Sequence, residues 1–383
     1  MASETEVSTA SSELAVAPAA DDDPVTHLNY FGADAQRGRN APSADFDRSA
    51  DYVVQRLKQY GLVGPNPNDP SSPYYQTFNM NGFASERAEF ANHADHGTGA
   101  DAFGTTLFEH GFYLDDRLDS QSFGVLAQKY RSITGSTKTP TLSDLKASTE
   151  LLAATRNVLG RLDGTGPKKA EVIVAMAHLD HLGVSGGQIY NGADDNGSGS
   201  SVLLSLVPIL AAAKEAGQLN RTILFFWTAA EEDGLVGSNY FVSHPIAGIG
   251  LSNIVGVVNM DMVGRWDNSR ISILDKKSNG STTYLSGLLS QANSALATPF
   301  TRINKDIDAY ARRQDGASFF DRGEDVLFVF EGLSNPNGGG NLHSDYHRPT
   351  DDVSKIIAEN GGQKVRRIRD LVGGTLKLAA NRP

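Results

Sequence analysis

The chain predicts an α/β fold: a mixed, mostly parallel central sheet flanked by helices on both faces. Two observations carry this expectation. Four apolar runs, EVIVAMA at 171–177, TILFFWT at 222–228, IVGVVNM at 254–260 and VLFVFEG at 326–332, are rich in β-branched and aromatic residues with no polar alternation, as in strands covered on both faces. They alternate with helical patterns at about 198–214, 282–296 and 362–380, and such alternation belongs to open α/β sheets.

Taken in order, residues 1–24, MASETEVSTASSELAVAPAADDDP, are rich in Ala, Ser and acids, the composition of a disordered leader. They have neither the basic nor the apolar segment of a signal peptide. In RSADYVVQRLKQY at 48–60, Val53, Val54, Leu57 and Tyr60 recur at helical spacing, and Gly61 stands where a left-handed helix end is expected. Residues 25–80 form the first part of the main domain. From 81 to 155 the chain is polar and Gly-rich, with a short helical pattern near Leu142 to Leu152, and is read as an insertion covering the cleft. Residues 156–383 are the core of a single catalytic domain. There Pro208 should kink the first helix, and Val365, Ile368, Leu371, Val372, Leu376 and Ala379 give the last one an apolar stripe.

The composition excludes several classes of function. A formal net charge of -11 argues against sequence-independent binding of nucleic acid or anionic lipid. No apolar run approaches the roughly 18 residues a membrane span requires. The chain has no Cys, so disulfides play no part and the compartment stays open.

Five strings follow the apolar runs: AHLDHLG at 177–183, NGADDNGSG at 191–199, FWTAAEEDGLVGS at 226–238, VVNMDMVGR at 257–265 and SDYHRPTDD at 344–352. In open α/β sheets, functional groups collect beyond the carboxyl ends of the strands, so these strings should converge. Without thiolates, His and carboxylates are the natural ligands for zinc. In HLD, Asp180 can reach the imidazole of His178 and fix its tautomer. Asp194–Asp195 reads equally as a turn or helix cap, and Glu231–Glu232 as acids at a helix start. Asp261 sits in an apolar setting, where a carboxylate needs a partner or a metal. His93, His96 and His110 read as surface residues of the insertion.

At these strings the chain resembles the M28 family of co-catalytic zinc metallopeptidases, closely from about Asn157 to Ile357. The resemblance is looser over Pro24 to Phe78, where ADFDRSADYVVQRLKQYGLVGP and SSPYYQTF resemble the family's first helix and following strand. It implies the zinc-exopeptidase (phosphorylase/hydrolase-like) fold and two Zn2+ per chain, one completed by His178 and Asp261, the other by Glu232 and His347, with Asp194 bridging. It also implies a cis peptide between Asp194 and Asp195, and Glu231 as general base. His181 and His343 have no part in that pattern. RQDGASFF at 313–320 resembles a family loop in which Gly316 replaces a His, and Tyr310, Arg312, Arg313 and Asp315 are candidate substrate contacts.

The expected function is a di-zinc aminopeptidase acting on peptides or small amino-acyl substrates with a free N-terminus. The same fold also supports a carboxypeptidase, with Arg312 or Arg313 facing the free carboxylate, or a single-zinc glutaminyl cyclase. A non-catalytic receptor-like relative is a more distant alternative. The expected compartment is extracellular or periplasmic, with the signal peptide absent from this chain, a cytoplasmic one being also compatible. The oligomeric state is not legible.

Overall fold

A computed structural model describes residues 22–81 and 152–383, together with 127–128, 130–131, 134–141 and 143–144 between them. Its strands are β1 (Tyr75–Asn81), β2 (Leu152–Leu162), β3 (Val172–His178), β4 (Gly183–Ser185), β5 (Gln188–Tyr190), β6 (Thr222–Thr228), β7 (Ile254–Met260), β8 (Arg270–Leu274), β9 (Arg302–Asn304) and β10 (Val326–Phe330). The helices that frame them are α1 (Pro24–Phe31), α2 (Ala44–Gln59), α3 (Gly199–Glu215), α4 (Val236–Ser243), α5 (Tyr284–Ala295), α6 (Ala317–Phe320), α7 (Val353–Asn360) and α8 (Gln363–Asn381).

Eight strands form one sheet in the order β1-β2-β6-β3-β7-β10-β8-β9, and β4 and β5 form a separate hairpin. The three central pairings, β6 with β3, β3 with β7 and β7 with β10, are parallel, while β1, β2 and β8 run against their inner neighbours. The sheet is thus mixed and mostly parallel at its centre, as expected. Side chains alternate across it. Ile173, Ala175 and Ala177 of β3, with Ile223, Phe225 and Trp227 of β6, face the larger core under α2, α3, α5 and α8. Val172, Val174, Met176, Leu224 and Phe226 face the smaller core capped by Phe241 of α4 and Phe319 of α6. Burying both faces explains why these strands lack polar alternation, each large side chain contributing about 1.5–3 kcal/mol.

The β6 and β7 runs coincide with the predicted ones, β3 extends to His178, and β10 stops at Phe330, leaving Glu331 outside the sheet. α2 begins four residues before the predicted start because Ser43 accepts a hydrogen bond from the Phe46 amide at 3.1 Å, and acids at 45 and 47 suit its first turn. Asp22 to Pro24 belong to the fold rather than to a leader: Asp23 caps α1 through the Val25 amide and pairs with Arg366 at 2.7 Å. Most of the 81–155 stretch expected to cover the cleft, with His93, His96 and His110, lies outside the described residues, and at its end Leu152 already starts β2. Among the described residues, Ala193–Glu215 is long and apolar enough to cross a membrane, with a mean hydropathy of 1.4, but 83% of that window is buried. An all-round apolar helix inside a domain is a core helix. It runs through Pro208 as one element.

Candidate metal centre

The parallel strands bring the motifs to one edge. His178 ends β3 opposite Thr228 of β6, and both chains leave the sheet there. After Thr228, Ala230 adopts a left-handed φ of 57°, turning the chain so that Glu231 and Glu232 follow in a loop rather than in a strand. Asp261 directly follows β7, and Asp195 lies in the turn that opens α3. His347, itself at φ 53°, enters from the segment between β10 and α7. His178, Asp195, Glu232, Asp261 and His347 are buried and Glu231 is partly so, and a crevice closed by apolar strand ends lowers the local dielectric.

The donor atoms form two half-sites sharing one carboxylate. His178 Nε2 lies 3.2 Å from Asp195 Oδ1 and 3.3 Å from Asp261 Oδ1. His347 Nε2 lies 3.0 Å from Asp195 Oδ2 and 3.1 Å from Glu232 Oε2. A tetrahedral ion with ligands at about 2.0–2.1 Å holds its donors about 3.3 Å apart, so these separations suit one small cation in each half. The orphaned atoms agree. His178 Nε2 and Asp261 Oδ1 are buried without a hydrogen-bond partner, which is unfavourable unless an ion completes them. Glu231 stands beside the first half, its Oε2 4.0 Å from His178 Nε2.

Electrostatics divide the acids. Burial raises the Glu231 carboxyl well above its ordinary range, and Glu232, Asp261 and Asp315 reinforce the shift against His178. Burial likewise lifts Asp261 to about 6, although His178 pulls the other way. For Glu232 burial also favours the neutral acid, but His347 and His181 outweigh it and hold the carboxyl well below the usual range. Asp195 is lowered in the same way: burial and Glu232 raise it, while His178 and His347 prevail. Surrounding histidines thus hold the shared carboxylate and Glu232 toward the ionised form that a ligand needs, while burial holds Glu231 toward the protonated one.

Asp194 does not occupy the shared position. Its Oδ1 accepts the Gly264 amide at 2.7 Å and its Oδ2 meets His343 Nε2 at 3.1 Å, in a separate buried group with Glu331. Non-helical backbone at Asp195 and Asn196 turns Asp195 toward His178 and His347 while Gly264 and His343 take Asp194, so the registration moves by one residue to Asp195. The non-proline cis peptide is likewise Asp195–Asn196, one bond later than expected. The Asp180 carboxylate is not the acceptor for His178 either. Nδ1 of His178 meets the Asp180 carbonyl at 3.1 Å, while the carboxylate receives the amides of Glu231 and Glu232 at 3.1 and 3.2 Å. Burial lifts that carboxyl to about 7 against the pull of His178.

Several neighbours were not legible in the sequence. His181 Nδ1 contacts Glu232 Oε1 at 2.7 Å; its spacing three residues after His178 was the available signal. Asp351 receives the amides of Asp194 and Asp195 at 3.1 Å each, the counterpart of what Asp180 does for the glutamate pair. Of the candidate substrate contacts, Asp315 is buried beside the site, bonded to Thr228. Arg313 stacks over Tyr310 at 5.0 Å and reaches the Tyr346 hydroxyl at 3.4 Å, and Tyr346 stacks on His347 at 3.9 Å. Arg312 instead faces solvent, paired with Asp321 at 2.9 Å.

The sequence model of peptidase family M28 matches residues 157–372. A probable leucine aminopeptidase of Arthroderma otae is 28% identical over 228 residues, 54% of this chain and 59% of that protein. The chain spans about half the length of the curated relatives it matches. Among solved structures, a zinc aminopeptidase from Bacillus subtilis superposes with a TM-score of 0.59 at 17% identity, covering 93% of this chain and 94% of that one. A glutaminyl cyclase from an Acidobacteriales bacterium gives 0.54 at 17% identity, covering 98% and 100%. At such identities the two structures establish the shared fold.

Proposed function

The chain belongs to peptidase family M28, and from that premise we propose that it is a two-zinc aminopeptidase. The observation that carries the reading is the division of one carboxylate, Asp195 Oδ1 toward His178 and Oδ2 toward His347. His178, Asp195 and Asp261 would hold one zinc, and Asp195, Glu232 and His347 the other. Bound zinc would supply Lewis acidity to the substrate carbonyl and acidify the attacking water. Glu231, its Oε2 4.0 Å from His178 Nε2, would take that water's proton on its carboxylate and pass it to the departing amine nitrogen. Asp180 fixes the backbone that carries Glu231 and Glu232 by accepting both of their amides. The substrates are peptides or small amino-acyl compounds with a free N-terminus, a reading supported by the aminopeptidase names among the relatives.

The test is a panel of dipeptides and aminoacyl-anilides, with N-blocked and C-amidated controls, assayed alongside zinc content. Two zincs per chain and hydrolysis that requires a free N-terminus are expected. Release from the C-terminal end would refute the end preference. One zinc at full loading, with cyclisation of N-terminal glutamine, would replace the reading by the cyclase one.

A further inference from the structure

Arg39 lies far in sequence from every residue of the metal centre and outside the segment matched by the family model. It is nevertheless fully buried, and its guanidinium is used on every nitrogen. Nε donates to the Leu179 carbonyl at 2.8 Å, Nη1 to those of Phe31 and Asn191 at 2.5 and 2.7 Å, and Nη2 to that of Gly192 at 2.9 Å. Leu179 follows His178 directly, and Gly192 precedes Asp195 by three residues. One planar fork therefore ties the end of β3 to the turn that carries the shared carboxylate, and both to the end of α1. The Arg39 carbonyl also receives the His181 amide at 3.4 Å.

The turn that delivers Arg39 is built to fit. Gly38 has φ +69°, and a Cβ there would meet the Gly183 carbonyl at 2.6 Å and strike that of Tyr190. The loop of residues 37–39 is thus pressed onto the β4–β5 hairpin with no room for a side chain. All four acceptors of Arg39 are neutral carbonyls, so its charge is not consumed in contact with a carboxylate. That charge acts through space on the carboxylates of Asp180, Asp351, Asp195 and Glu232, acids that would otherwise repel one another. Lysine could not replace it, since an ammonium is a point donor and cannot span acceptors at both ends of a planar fork.

We propose that Arg39 is a positioning residue for the metal centre: it fixes the spacing of His178 and Asp195 and offsets the charge of the carboxylates around them. The proposal rests on the two-zinc reading above. Its test is equilibrium binding of zinc alone, by competition with a chromogenic chelator, on the full chain well below its melting temperature. Arg39→Lys, Arg39→Met and Leu371→Ala are compared with the unaltered chain, Leu371 being a buried apolar residue of α8 that belongs to neither half-site. Both Arg39 variants should bind zinc about 10–100-fold more weakly, the range for groups that orient metal ligands, with kcat falling while KM holds. Leu371→Ala should lose melting temperature yet keep the zinc affinity, separating positioning from general destabilisation.

Zinc affinity and kcat unchanged in either Arg39 variant would overturn the proposal while leaving the two-zinc reading intact. So would a failure of both to fold when Leu371→Ala folds, because Arg39 would then be a determinant of the fold itself. An unaltered chain that binds no zinc would overturn both.

Discussion

Asp195 and Asp194 are chemically identical neighbours given opposite tasks by the turn that holds them. Asp195→Asn replaces one of the two oxygens that face His178 and His347 with an amide nitrogen, which cannot ligate a cation. Asp194→Asn keeps an oxygen for the Gly264 amide and alters only the separate group with His343 and Glu331. The effect can be sized by mass action. Zinc at 100 times its dissociation constant stabilises the native state by about 2.7 kcal/mol per site; if Asn weakens binding about 100-fold, the same zinc concentration contributes about 0.4 kcal/mol, a loss of about 2.3 kcal/mol. Because Asp195 belongs to both half-sites, both increments should fall. The assay is the melting temperature of each variant with and without zinc, alongside metal content. A zinc-dependent rise of a few degrees should survive in Asp194→Asn and largely vanish in Asp195→Asn. The opposite ranking, or full zinc content in Asp195→Asn, would refute the assignment of the shared carboxylate.

Glu231→Gln should retain zinc and melting temperature but lose about 10²–10⁴-fold in kcat, as for removal of a general base; loss of metal in this variant would mean that Glu231 is a ligand. Asp180→Asn turns a donor toward the amides of Glu231 and Glu232, and should lower zinc affinity or activity about 10–100-fold, which metal titration and kcat would report. His27, buried against the Tyr52 hydroxyl at 2.8 Å, has its pKa lowered to about 4 from 6.5, chiefly by burial. The unfolded chain therefore binds the extra proton between those values. The corresponding stability is present above pH 6.5 and lost as pH falls toward 4, ~3 kcal/mol in all. Denaturant unfolding of the zinc-free chain from pH 6.5 to 4 should therefore lose ~3 kcal/mol more in the unaltered chain than in His27→Gln; an equal slope in both would exclude His27 as a source.

Periodicity alone determined the frame of this protein. The runs at 222–228 and 254–260 became β6 and β7 without a shift, because a strand buried on both faces must be apolar at every position. Since four of the residues follow strand ends, the gathering of His178, Glu231, Glu232 and Asp261 at one edge was also legible, whereas His347 was placed there by the family resemblance. What only the tertiary structure decided was which atoms of each motif face the centre. Asp194 and Asp195 are indistinguishable as letters, and one is selected because Gly264 and His343 take the other. Asp180 follows His178 at a spacing that suits a side-chain contact, yet its carboxylate turns to the amides of a loop 51 residues away. Arg39 carries no local signal at all, since its four partners are backbone carbonyls at positions 31, 179, 191 and 192. Local sequence sets which residues can be apolar, helical or ionised. The direction of a buried polar side chain is set by whichever unpaired donor or acceptor the rest of the chain brings within reach, because leaving that group unmet costs more than any local preference.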